Sequence, residues 1–219
     1  MLPLSLDAAR LEIALVGRGE AVLRRLAALD AADARRLTVF SDAPPPGLAG
    51  AAGDRLRRRL PAAGELARAR LVAIAGLPPE LAEAMAALAA GRGALVHVED
   101  MPALCDVHMP AVVRRGALSI AISTGGRSPG LARLFKTLLE PLIDARWGLW
   151  LEELAVQRAR WRAAGHAMAE VSRRTAAFVR AKGWLPRGAG GAPARGADRA
   201  IGVGRAQPPG SVPSGRRMQ

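Results

Sequence analysis

An α/β fold built on a parallel sheet is predicted by three observations. Four short apolar runs of strand length recur through the first hundred residues, stretches of helical periodicity lie between several of them, and a Gly-x-Gly turn follows the first run at once. Strands that alternate with helices imply a parallel sheet with helices packed on its faces.

The first run, residues 11–16 (LEIALV), is followed by Gly17-Arg18-Gly19, and residues 20–29 then read as a helix with Ala21, Val22, Leu26 and Leu29 on its apolar side. A second run, Leu37-Thr38-Val39-Phe40, closes at Ser41-Asp42 and a Pro-rich turn. Leu71-Val72-Ala73-Ile74-Ala75 makes the third strand, residues 79–90 a helix, and residues 94–98 (ALVHV) the fourth strand, ending at Glu99-Asp100. The character changes after Pro110. Residues 117–123 (ALSIAIS) form a further strand, and Ser128-Pro129 opens a helix expected to run to about residue 145. Serine at the N-cap accepts from an orphan amide, and proline suits the first helical position because its missing N–H had no partner there. Residues 147–164 and 166–182 read as two more helices broken at Gly165. The expected organisation is a Rossmann-like nucleotide-binding domain over 1–112, a dimerisation region over 113–146, a C-terminal helical region over 147–185, and a disordered basic tail over 186–219 rich in Gly, Ala, Pro and Arg.

Composition narrows the function. With 219 residues, half of them hydrophobic, a sizeable core is available, and no apolar run reaches the length that spans a bilayer. The start shows neither a basic n-region nor a small-residue cleavage site, so a cytoplasmic protein without a membrane partner is expected. Cys105 is the single cysteine, which excludes an intrachain disulfide and a Cys-x-x-Cys site. The absence of tyrosine excludes Tyr/Lys acid–base dehydrogenases, and three histidines, His97, His108 and His166, form no metal pair. The net charge of +13 lies almost wholly on arginine, Lys136 and Lys182 being the only lysines. That balance suits anionic ligands, or else reflects a codon bias towards Arg and Ala. Few aromatics weigh against nucleic acid as a partner, since single-strand binders need stacking platforms. An association of the basic tail with nucleic acid is the weaker alternative.

Four stretches carry candidate chemistry. Gly17 and Gly19 leave room for a pyrophosphate to approach the helix amides, or serve a purely structural turn. Asp42 stands where a carboxylate accepts hydrogen bonds from an adenosine ribose and repels a 2′-phosphate, which favours NAD; it equally suits a solvated turn before Pro44. Glu99-Asp100 lies at the carboxyl end of a strand, the edge where ligands bind in open α/β sheets, and either takes a proton, holds an arriving metal or caps a turn. Ser123-Thr124-Gly125-Gly126-Arg127-Ser128-Pro129 combines hydroxyls, flexible glycines, a guanidinium and a helix start, which makes an anion cradle or a plain strand-to-helix turn. Cys105-Asp106-Val107-His108 reads better as a packed junction than as a metal site, and no metal ligands are assigned. Leu131, Leu134, Phe135, Leu138, Leu139 and Leu142 share one broad helical face, followed by Trp147, Trp150, Trp161 and Trp184, and a subunit contact is expected there.

Val16-Gly17-Arg18-Gly19-Glu20, together with HVEDMPALCDVHMPAVVRRGALSIAISTGGRSPGLAR over residues 97–133, resembles the precorrin-2 dehydrogenase/sirohydrochlorin ferrochelatase family, which includes the N-terminal part of sirohaem synthase. The resemblance covers roughly residues 1–145. It implies a homodimer that oxidises precorrin-2 to sirohydrochlorin with NAD, in sirohaem and cobalamin synthesis, and in some members then inserts ferrous iron to give sirohaem. The family's key aspartate falls on Asp100, its NAD contacts on Glu20, Ala21, Asp42 and Ala43, and the hydroxyl before its paired glycines on Thr124. Precorrin-2 is an octacarboxylate, so a cleft lined by Arg114, Arg115 and Arg127, beside Gly125, Gly126 and Ser128, would grip it through charge-assisted pairs. Asp100 would be the base, while NAD does the redox work.

Three positions depart from the family pattern. Arg18 replaces a third consecutive glycine, Ala75-Gly76-Leu77-Pro78-Pro79 replaces an acid-rich stretch, and His97 replaces an asparagine. All three touch the cofactor side. The alternative they raise is a tetrapyrrole- or metal-handling dimer that has lost NAD-dependent activity. The methyltransferase domain of the larger sirohaem synthases is not expected in this chain.

Overall fold

The computed structural model describes residues 2–185; the tail expected at 186–219 lies outside them. Each apolar run becomes a strand of one sheet: β1 Glu12–Gly17, β2 Arg36–Phe40, the two-residue β3 Leu56–Arg57, β4 Leu71–Ala75 and β5 Leu95–Val98. All neighbours run parallel in the order β3-β2-β1-β4-β5. The helices are α1 Gly19–Asp30, α2 Leu48–Ala52, α3 Ala63–Leu66 and α4 Pro79–Ala90. This is a Rossmann-like α/β sheet, and its order reverses at β1, between β2 and β4. That reversal opens a crevice at the carboxyl ends of β1 and β4.

Alternation along the strands builds two cores, one on each face of the sheet. Ile13 and Leu15 of β1 join Leu37 and Val39 of β2 under Val22, Leu26 and Leu29 of α1. Ala14 and Val16 face the other way and join Val72, Ile74, Val96 and Val98 under Ala82, Ala86 and Ala89 of α4. The alanine face of α4 lets that helix lie close to the sheet, while Leu15 and Val16 are fully buried at its centre.

Beyond the sheet, β6 Ala111–Arg115 and β7 Leu118–Ile122 form an antiparallel hairpin with Arg115 opposite Leu118. β6 was not expected from the sequence. Its signal is the two-residue turn Gly116-Ala117, with Gly116 at φ 56°, a backbone state for which glycine is suited at the head of a tight hairpin. α5 spans Pro129–Leu139 and stops short of the expected residue 145. Pro141 explains the stop: it lacks an N–H for the helix ladder. Ser128 caps α5 by accepting from the Leu131 amide at 3.3 Å, as its residue type predicts.

The chain divides into two compact units, Met1–Leu151 and the segment from Glu152 onward. α6 Arg146–Ala163 begins in the first unit, and α7 Met168–Ala181 lies in the second. Gly165, at φ 80°, separates these two helices as expected. Within the second unit Phe178 meets Trp161 and Trp184 edge-on, at centroid distances of 6.2 and 5.5 Å. Among the described residues no helix is long and apolar enough to cross a membrane.

Candidate functional site

The glycine turn sits at the carboxyl end of β1, and its residues are there for space. A Cβ on Gly17 would lie 2.2 Å from the Ala75 carbonyl oxygen, so only glycine lets β1 pass β4 at this point. Gly19 opens α1 at φ 60° with nothing within 4 Å of where a Cβ would stand. Arg18 occupies the N-cap position without a side-chain cap, which leaves the first amides of α1 facing out. Glu20 and Ala21 follow in that first turn. An open cradle of amides at a helix N-terminus fits a pyrophosphate.

Arg18 itself does something the sequence did not disclose. Its N–H donates to the Ala75 carbonyl at 3.1 Å, and its side chain reaches across to the end of β2. There Nε donates to Oδ1 of Asp42 at 2.7 Å and Nη2 donates to Oδ2, a bidentate pair left about one-third exposed. The guanidinium holds the Asp42 carboxyl below its usual range, so the group stays ionised. Ala43 follows, exposed at the same edge. Gly76, part of the altered loop after β4, is also sterically required: at φ 67°, a Cβ there would sit 2.3 Å from the Arg18 carbonyl oxygen.

Two strands along the same edge lies a cavity of about 480 Å³, at the carboxyl end of β5 and bounded by the β6–β7 hairpin and α5. Neighbouring strands are about 4.8 Å apart, which sets the glycine turn and the end of β5 about 10 Å apart across β4. Asp100 lines the cavity, exposed and at φ 62°. Aspartate is among the few side chains that visit this left-handed region at low cost, and the turn it makes leads the chain off the strand at the cavity rim. Thr124 and Gly126 line it as well. The Thr124 hydroxyl donates to the Ser128 carbonyl at 3.0 Å and accepts the Ser128 amide at 3.1 Å, which fixes the turn before α5. Gly126, at φ 78°, leaves room for His108, whose ring carbon would lie 3.1 Å from an added Cβ.

The cations of the cavity are not those expected. Arg114 and Arg115 lie on β6 outside the lining; Arg114 donates to Ser119 at 3.2 Å, and Arg115 donates to the Glu140 carbonyl at 2.9 Å. Arg127 is exposed and, with Gly125 and Ser128, also lies outside the lining. Arg25, Arg133 and Lys136 line it instead. The helical signal was present: Pro129, Ala132, Arg133 and Lys136 recur at i, i+3, i+4 and i+7 on one face of α5. Arg25 comes from α1, donates to the Met109 sulfur at 2.9 Å and sits 3.7 Å from Glu99. Burial pushes its pKa down and Glu99 draws it back, leaving it a cation.

The segment Cys105–Val107 is a packed junction, as residue type suggested. The Val96 amide donates to the Asp106 carboxylate at 3.1 Å, the Asp106 amide donates to Val96 oxygen at 2.9 Å, and the Cys105 thiol donates to the Val98 carbonyl at 3.2 Å. Together they cover the free edge of β5. His97 is buried behind this junction and donates Nδ1–H to the Val107 carbonyl at 3.1 Å. Burial, with Arg25 as the second cause, lowers its pKa to about 4, so the ring is neutral near pH 7. Among the described residues no group of three or more His, Cys, Asp or Glu side chains is placed to hold a metal ion.

Comparison with known proteins bears on the same residues. The NAD(P)-binding family model matches residues 4–111, and the model for the central region of the sirohaem biosynthesis protein matches residues 115–140. The chain is 39% identical over 150 residues to siroheme synthase of Pseudomonas entomophila, a match that covers 68% of this chain and 32% of that protein. It is 34% identical over 165 residues to siroheme synthase of Methylococcus capsulatus, covering 74% of this chain and 35% of the relative. The chain thus spans about a third of the length of the curated relatives it matches. A solved structure of SirC, precorrin-2 dehydrogenase, superposes with a TM-score of 0.68 at 19% identity, covering 82% of this chain and 89% of that one. At that identity the likeness speaks for the fold.

Proposed function

We propose that the chain, which matches an NAD(P)-binding family model over residues 4–111 and the sirohaem biosynthesis central model over 115–140, belongs with the precorrin-2 dehydrogenase/sirohydrochlorin ferrochelatase family and oxidises precorrin-2 to sirohydrochlorin with NAD. The observation that carries the reading is the cavity at the end of β5. Asp100 lines it together with Arg25, Arg133 and Lys136, on the same sheet edge as the open glycine turn. Cations at a partly enclosed site pair with the carboxylates of an acidic macrocycle and repay their desolvation.

When bound, the dinucleotide accepts a hydride at its nicotinamide ring. Every other task falls to the chain. Gly17 and Gly19 clear the approach to the α1 amides, Glu20 and Ala21 would hold the pyrophosphate end, and Asp42 with Ala43 would hold the adenosine ribose. The macrocycle loses one C–H bond as a hydride and a second hydrogen as a proton, and it gains a double bond in exchange. Asp100 accepts that proton in the cavity that Thr124 and Gly126 also line. Insertion of ferrous iron into the product, with iron as a substrate, would use the same cavity and the same carboxylate. The exposed apolar face of α5 supports a homodimer, and the cytoplasm is the compartment that suits an NAD-dependent step.

The test is Asp100→Asn rather than the alanine variant. Asparagine tolerates the positive φ of this position and keeps the side-chain shape, but it cannot take a proton. Turnover of precorrin-2 should fall by about 100-fold or more, the scale of a lost general base, with thermal midpoint and substrate affinity little changed. Equal turnover in variant and parent would remove Asp100 from the chemistry.

A further inference from the structure

The ion pair between Arg18 and Asp42 bears on which dinucleotide the site accepts, and this inference rests on the proposed oxidoreductase reading. A lone carboxylate at the end of β2 accepts hydrogen bonds from a ribose diol and repels a 2′-phosphate. Here the carboxylate is not alone. Arg18 lies on it fork to fork, through Nε at 2.7 Å and Nη2, with both side chains about one-third exposed at the sheet edge.

The position of Arg18 is enforced rather than incidental. Its amide is tied to the Ala75 carbonyl at 3.1 Å, and its own carbonyl is packed where a Cβ on Gly76 would be 2.3 Å away. The backbone is extended, at φ −135° and ψ 167°, and it sends the side chain towards β2. Two consequences follow from charge. The net charge at the ribose end is zero, so the repulsion that would exclude a 2′-phosphate is cancelled. Each Asp42 oxygen keeps a lone pair for a ribose hydroxyl, and the guanidinium keeps N–H donors that an additional phosphate can accept from.

We infer that Arg18 is the residue that sets dinucleotide selectivity in this chain, relaxing the preference for NAD so that NADP is held as well. The preference set by Asp42 survives only in weakened form.

Direct binding to the full chain tests this without turnover, by titration calorimetry with NAD and with NADP separately. The parent should bind the two within about tenfold of one another. Arg18→Gln keeps the side-chain length and removes the charge; NADP should then weaken by about 100-fold or more while NAD changes little. Asp42→Asn should reverse the sign, leaving NADP bound at least as tightly as NAD. NADP binding to the parent should also fall with added salt more steeply than NAD binding does. If the parent binds NAD yet rejects NADP as strongly as Arg18→Gln does, the inference about Arg18 fails while the oxidoreductase reading stands. If the parent binds neither dinucleotide at millimolar concentration, the oxidoreductase reading itself fails.

Discussion

At His97 an imidazole is buried, and its burial has a cost that pH reveals. Nδ1–H is committed to the Val107 carbonyl, and Nε2 is buried without a hydrogen-bond partner. The folded-state pKa of about 4 lies below the ordinary 6.5, so between these values the unfolded chain binds a proton that the folded chain refuses. Stability from this group is therefore complete above about pH 6.5 and is lost as pH falls towards 4. Glu65, held to about 2 by Arg59 and the Ala62 amide, loses its contribution only below its own unfolded value of 4.5. The window from pH 6.5 to 5 thus isolates His97. Urea midpoints should fall across that window in the parent and stay nearly flat in His97→Asn; parallel slopes would contradict the assignment. Some of this residue-level chemistry is legible in sequence and some is not. Gly17, Gly19 and Asp42 stand where strand-end patterns put them. The bond from Arg18 to Asp42 crosses 24 residues, and no local pattern encodes it.

α5 shows why one helix can be half read. Its start follows from Ser128-Pro129, and its apolar stripe follows from the spacing of the leucines. The sequence could not say which face meets the rest of the chain. Ala132 is buried and Arg133 and Lys136 turn to the cavity, whereas Leu131, Leu134, Phe135 and Leu138 are 46–69% exposed. A run of large apolar side chains left in water on one helix marks an interaction surface. Each leucine buried there would contribute about 1.5–3 kcal/mol, enough in sum to hold two copies together. Leu134→Glu with Leu138→Glu should therefore convert a dimer to a monomer in sedimentation velocity, with the far-ultraviolet circular dichroism unchanged. A monomeric parent, or a variant that still dimerises, would count against this surface. The hairpin before α5 was half read as well: β7 stood out by alternation, while β6, directly after Pro110, did not.

For the molecule as a whole, the sheet order is what brings the two halves of the proposed chemistry to one edge. Parallel β1, β4 and β5 end on the same side, so the glycine turn and Asp100 lie on one sheet edge although 81 positions separate Gly19 from Asp100. That much was legible, because strand-helix alternation permits few topologies. The allocation of the positive charge was not. Much of it goes to ion pairs with carboxylates, such as Arg55 with Asp30, Arg59 with Glu65 and Arg146 with Asp144, rather than to an arginine wall. The three cations that do line the cavity come from α1 and α5, and only the packing of those helices against the sheet end assembles them. The most direct measurement is to mix the parent chain anaerobically with precorrin-2 and either dinucleotide, and to follow the reduced nicotinamide and the sirohydrochlorin spectrum together. One reduced nicotinamide formed per sirohydrochlorin, at a catalytic rate, is the predicted result. Saturable tetrapyrrole binding with no reduction of the nicotinamide would contradict it.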